Sequence, residues 1–257
     1  MTQASQGHVL VGQLSKVYPT LARAEGVYVF DEQGKRYLDA ISGVGVVNIG
    51  YGVTEVIEAI ERQLRDLPYS YGGMFENQPR RQLAAKLQAW APPGMGETRA
   101  FFSSGGAEAN EAALKLAYQY HWERGHPSKQ KVIGRWQSYH GNTIGALSMS
   151  GRSDWRAMHS GYLLDFPHIP PPYCLRCPWG LTYPDCGIRC AEDLRRVIYQ
   201  YGPENIAAFI AEPVIGTSLS ALVPPQEYYP IVRQICDEFE ILFIADEVLS
   251  GVGRTGR

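Results

Sequence analysis

ILFIADEVLSGVGRTGR, residues 241–257, sets an apolar run of β-branched and aromatic residues directly before two acids, Asp246 and Glu247, and then a glycine-rich turn. Ile241 to Ala245 has the length and composition of a buried strand. A carboxylate at the C-terminal end of such a strand in an α/β sheet stands where these folds bind ligands. The same pattern occurs upstream in IAAFIAEPV, residues 206–214, where the apolar run ends in Glu212. Between the two lies a segment with helical periodicity, Gln226 to Phe239, so the pair reads as strand, helix, strand.

Working toward the N-terminus, the alternation continues. Ala191 to Tyr201 is helical in pattern, Thr143 to Met149 is a short helix, and Lys131 to Trp136 is strand-like. A long helix from about Glu108 to Arg124 follows a short strand at Arg99 to Phe102. Strands that alternate with helices give an α/β fold with a mainly parallel sheet flanked by helices. The first hundred residues differ. Val27 to Phe30 and Arg36 to Ala40 make a hairpin around Asp31–Gly34, and the glycine-rich Ser42 to Gly52 is a loop. Helices follow from Thr54, with Val56, Ile57, Ile60, Leu64 and Leu67 on one face, and over Pro79 to Trp90. This α+β segment is an appendage to the α/β body.

Composition narrows the function. With 257 residues, 45% of them hydrophobic, the chain can bury a sizeable core. A net charge of −2 offers no basic face for nucleic acid. The N-terminal MTQASQGHVL lacks the pattern of a secretory signal, and the apolar runs are far too short to span a membrane. A cytoplasmic protein is the expectation. Four of the five cysteines, Cys174, Cys177, Cys186 and Cys190, crowd into CLRCPWGLTYPDCGIRC. The C-x2-C spacing lets two thiolates reach one tetrahedral ion, so a structural zinc site is one reading; reduced thiols packed as small hydrophobes is the other.

Three motifs stand at strand ends. In FFSSGGAEANEAALKLA, residues 101–117, glycines lead straight into a helix. A helix N-terminus there offers unpaired N–H groups and the positive end of the dipole, which suit a phosphate; a tight connection alone would use the same residues. SYHGNT, residues 138–143, puts an aromatic beside a histidine, either to stack on a planar ring or as a packed pair. The third is the acid-terminated strand pair already quoted. A strand ending in Asp-Glu also occurs in P-loop ATPases, but no G-x-x-x-x-G-K-[ST] stands anywhere in the chain.

Taken in order, GVYVFDEQGKRYLDAISGVGVVNIG, GGAEANEAALKLA, SYHGNT, AEPVIG and DEVLSGVGRTGR resemble the class III aminotransferases, fold-type I enzymes that use pyridoxal phosphate. The resemblance runs essentially the whole length of the chain. It implies that Gly105, Gly106 and Ala107 bind the cofactor phosphate and that Tyr139 stacks on the pyridine ring. His140 and Gly141 would shape that loop, Asp246 pair with the ring nitrogen, and Val248 pack on the opposite face. Glu212 would lie near the cofactor's hydroxyl edge or the substrate. It also implies a division into residues 1–70, part of a small domain, and residues 71–257, the cofactor-binding major domain. Amine and keto-acid substrates and a homodimer are expected, with no nucleic acid or membrane partner.

Two residues depart from the family pattern. Ala107 stands where a hydroxyl residue is usual, which removes one phosphate hydrogen bond, and Tyr51 stands where histidine is favoured after Asn-x-Gly. No lysine follows Lys131 in this chain. The family's Schiff-base lysine would then lie beyond Arg257, and the expectation is an N-terminal portion that does not transaminate by itself. A decarboxylase or aminomutase of the same fold shares every motif quoted, and a non-catalytic short form is a further alternative.

Overall fold

A computed structural model describes residues 8–9 and 16–256; the reading of the first ten residues as free of a signal lies largely outside them. The chain divides into two compact units that meet between Ala100 and Phe101.

In the first unit, strands β1 (Leu21–Glu25), β2 (Tyr28–Asp31) and β3 (Arg36–Leu38) form an antiparallel sheet in that order. The β2–β3 hairpin is the one expected, with Tyr28 opposite Leu38. Asp31 closes its turn by accepting hydrogen bonds from the Gln33 and Lys35 amides and the Tyr37 hydroxyl. The sequence LARAE of β1 has no apolar alternation, so its pattern did not reveal it. The expected loop at Ser42–Gly52 contains a single irregular turn, α1 (Ser42–Gly45), with Gly43 and Val44 in left-handed conformations. Helices α2 (Thr54–Asp66) and α3 (Gln78–Trp90) follow; the Asn77 side chain caps α3 through the Arg80 amide, and Pro79 sits in the first turn, where no N–H is needed.

The second unit is built from α4 (Gly106–Glu123), β4 (Lys131–Arg135), α5 (Ile144–Met149), α6 (Ser153–His159) and β5 (His168–Ile169). It continues with α7 (Arg189–Tyr201), β6 (Ile206–Ala211), α8 (Tyr228–Glu238) and β7 (Leu242–Ala245). The four strands are parallel, in the order β5-β4-β6-β7. Strand β6 is interior and buried at all six positions, as expected for a continuous apolar run covered on both faces. Its side chains alternate between two cores. Phe209 and Ala211 join Leu194, Ile198, Val232 and Ile235 under α7 and α8, whereas Ala208 and Ile210 join Ala117, Val132 and Met149 toward α4 and α5.

Arg99 to Phe102, expected as a strand, has no strand geometry. A strand exists only by pairing, and none of the four parallel strands lends it a ladder. Helix α6 and the two-residue β5 were not anticipated; β5 is too short to show any periodicity. The topology carries the C-terminal ends of β4, β6 and β7, with SYHGNT, Glu212 and Asp246–Glu247 that follow them, to one edge of the sheet.

Candidate active site

Strand β7 ends at Ala245, and its ladder with β6 is prolonged by one bond, from the Asp246 amide to the Ala211 carbonyl at 2.9 Å. That bond fixes Asp246 beside Glu212, and both carboxylates are buried. Asp246 Oδ2 accepts from His140 Nδ1 at 2.7 Å and from Asn110 Nδ2 at 2.9 Å; Oδ1 accepts from the Val248 amide at 3.1 Å. Oδ2 has spent both lone pairs, while Oδ1 keeps one for a further donor. Burial pushes this carboxyl up, yet the His140 bond, the Val248 amide and the Asn110 amide outweigh it and hold it below the usual carboxylate range. Asp246 is therefore a fixed anion.

Glu212 differs. Burial raises its pKa, against the opposing pull of His140 and Arg135. Its Oε1 accepts from the Tyr139 amide at 3.3 Å, and its Oε2 lies 3.6 Å from Arg135 Nη2 with no hydrogen bond. Arg135 is wholly buried; its Nη2 donates to the Glu212 carbonyl at 2.6 Å and its Nη1 to the Tyr229 hydroxyl at 3.3 Å. His140 Nε2 is likewise buried without a partner. Unpaired buried polar atoms cost free energy, and two of them beside a fixed carboxylate mark a place where a ligand's polar atoms would be received.

Gly105 is the N-cap of helix α4, and no side chain caps the helix there. The Ser104 amide is taken by the Glu108 carboxylate at 2.8 Å, which leaves the Gly106 and Ala107 amides at the open end of the helix. Gly106 allows close approach: a Cβ there would lie 2.9 Å from a Val248 methyl. Gly141, at φ +134°, is wedged between Ala107 and Ala146, where a Cβ would meet their methyls at 2.6 and 2.9 Å. Tyr139 is half-buried, with its ring edge-to-face on Trp155 at 5.2 Å. The structure thus gathers Gly106, Ala107, His140, Gly141, Glu212, Asp246 and Val248 into one contact network, with Gly105 at its cap and Tyr139 tied in through its amide.

Sequence reasoning missed Asn110, Arg135 and Ser150. Asn110 donates to the His140 carbonyl at 2.7 Å as well as to Asp246, and Ser150 Oγ accepts from the His140 amide at 2.8 Å. One signal was available. Asn110 shares a helical stripe with Leu114, Ala117 and His121, so it is a polar residue on a buried face, which needs partners.

The zinc reading is not supported. Among the described residues no group of three or more His, Cys, Asp or Glu side chains is arranged to hold a metal ion. All five cysteines are free thiols, and Cys186 and Cys190 pack against the core as small apolar side chains.

A parallel sheet with helices on both faces and acids at the strand ends matches the fold of the pyridoxal-phosphate-dependent transferases. Within that class, the chain belongs to the class III aminotransferases, whose family model matches residues 13–257. It is 41% identical over 243 residues to the putrescine–pyruvate aminotransferase of Pseudomonas aeruginosa, covering 92% of this chain and 51% of that protein. It is 36% identical over 236 residues to the taurine–pyruvate aminotransferase of Bilophila wadsworthia, covering 91% and 50%. The ω-transaminase of Pseudomonas jessenii, solved in complex with PMP, superposes with a TM-score of 0.91 at 33% identity, over 98% of this chain and 56% of the other. The chain spans about half the length of the curated relatives it matches.

Proposed function

We propose that this chain forms the cofactor-holding part of a pyridoxal-phosphate-dependent aminotransferase that moves an amino group from a primary amine or amino acid to a keto acid, with pyruvate the first acceptor to try. The observation that carries the reading is Asp246, a buried carboxylate kept ionised by three donors with one lone pair of Oδ1 left over. The amides of Gly106 and Ala107 bind the phosphate at the helix N-terminus. With the cofactor bound, Asp246 would hold a proton on the pyridine nitrogen, Tyr139 would cover one ring face, and Val248 would pack on the other. Glu212 orients the hydroxyl edge or the incoming amine through its unpaired Oε2. The cofactor, when bound, supplies a sink for the electron pair left as the substrate Cα–H bond breaks.

A lysine that anchors the cofactor and shuttles the proton belongs, in this reading, to the part of the relatives' length that this chain does not span. Residues 1–70 would contribute to a small domain, residues 71–257 to the major one, and the complete protein would be a cytoplasmic homodimer. Donors of the diamine or ω-amino type are the class to test, because relatives are named for putrescine and taurine.

The test is a titration of the chain with pyridoxal phosphate, followed by induced circular dichroism of the bound ring. Asp246→Asn should weaken binding by roughly tenfold or more, about what loss of a charge-assisted bond costs. Amino transfer is then assayed with the complete reading frame. Absence of an induced signal in the unsubstituted chain would sink the reading; carbon dioxide release without keto-acid amination would replace transamination by decarboxylation.

A further inference from the structure

We propose that Glu111 is the positioning residue that holds the Tyr139–Thr143 loop against the ring side of the site; the proposal rests on the cofactor reading above. One oxygen of its carboxylate, Oε1, accepts three hydrogen bonds: from Thr143 Oγ1 at 2.6 Å, the Gly145 amide at 2.9 Å and the Ala146 amide at 3.2 Å. Those amides are the unpaired donors at the start of α5, which Thr143 does not cap with its own side chain. A carboxylate from α4 caps α5 instead, and the bond from Thr143 ties down the end of the loop.

A Cβ on Gly145 would lie 2.5 Å from Glu111 Oε2, so the glycine is what admits the carboxylate. The start of the loop is fixed separately, by the Tyr139 amide on Glu212 and the His140 amide on Ser150. Asn110, the neighbour of Glu111 on α4, clamps the His140 carbonyl and Asp246. One rigid helix thus carries the phosphate-binding amides in its first turn and, about one turn later, both groups that locate the ring-binding elements. Glu111 therefore acts on ring placement and leaves phosphate capture to the helix end.

That separation gives the test. In the unsubstituted chain, pyridoxal phosphate should bind with an induced circular dichroism signal, and inorganic phosphate should raise the melting temperature. In Glu111→Ala the affinity for pyridoxal phosphate should fall roughly tenfold or more with loss of the induced signal, because the charge-assisted hydrogen bonds that hold the loop are lost. The phosphate-dependent rise in melting temperature should remain. Glu111→Gln, which keeps an acceptor oxygen, should restore most of the signal, and Gly145→Ala, which pushes the carboxylate out, should mimic Glu111→Ala. Should Glu111→Ala not fold, Glu111→Gln and Gly145→Ala decide alone, weak loss in the first and strong loss in the second being expected. Equal loss of both ligands, or an unchanged induced signal in Gly145→Ala, overturns the proposal. If the unsubstituted chain binds phosphate but gives no ring signal, the cofactor reading itself has failed.

Discussion

At the scale of single residues, the site is a set of donors counted against a few acceptors. Asp246 uses three of its four lone pairs on protein donors, which sets its charge and leaves Oδ1 to take one more hydrogen bond. Ala107 is the place where this chain has less than it could. Its methyl packs on Gly141, and no side-chain hydroxyl caps the helix there. Ala107→Ser should supply one phosphate hydrogen bond, worth about 0.5–1.5 kcal/mol, so that pyridoxal phosphate binds roughly two- to tenfold tighter. Pyridoxal without the phosphate should bind unchanged, and paired titrations of Ala107→Ser and the unsubstituted chain against both ligands measure the difference.

At the scale of elements, short pieces of structure are held by polar atoms that their own residues do not supply. Glu111 of α4 caps α5, and Lys129 donates to the Phe239 and Glu240 carbonyls just past the end of α8. Strand β5 shows the cost of such an arrangement. His168 lies stacked on Trp136, with Nδ1 facing the Phe166 carbonyl and Nε2 facing those of Met149 and Ser150. Burial, helped by the Arg156 charge, drives its pKa down to about 4 against the pull of those carbonyls. The folded value lies below the unfolded one, so the contribution to stability is present above the ordinary histidine pKa and is lost as pH falls through about 4. Stability against thermal unfolding should therefore fall by up to roughly 3 kcal/mol as pH drops across that window, and His168→Gln should flatten the slope. A variant as acid-sensitive as the parent would assign the loss to other groups.

At the scale of the whole molecule, the second unit has its sheet between two apolar cores, and Phe209 on interior strand β6 is a main contributor to one of them. It is fully buried under α7 and α8, with its ring stacked on Phe243 at 6.2 Å. Phe209→Ala should destabilise this unit by about 3–5 kcal/mol, read as a lowered denaturant midpoint with unchanged slope. A loss under 1 kcal/mol would mean that the surrounding helices close over the space. No helix among the described residues is long and apolar enough to cross a membrane. In the first unit the apolar stripe of α2, Val56, Ile57, Ile60 and Leu64, is exposed.

The parallel sheet, its alternation with helices and the acids at its strand ends were legible in the sequence because each is written in consecutive residues. An apolar run needs no distant partner to show its period, and the ordered motifs named the family. Tertiary structure decided the rest. Among the described residues Arg99 to Phe102 has strand composition but no strand to pair with, and the four cysteines, though they line one cavity, are not arranged to hold a metal ion. Asn110 and Glu111, which hold Asp246 and the 139–143 loop, lie on α4, more than a hundred residues from Asp246 in the chain. Those contacts arise only when β4, β6 and β7 are laid side by side, since hydrogen bonds over such separations depend on where the sheet places its ends and not on local pattern.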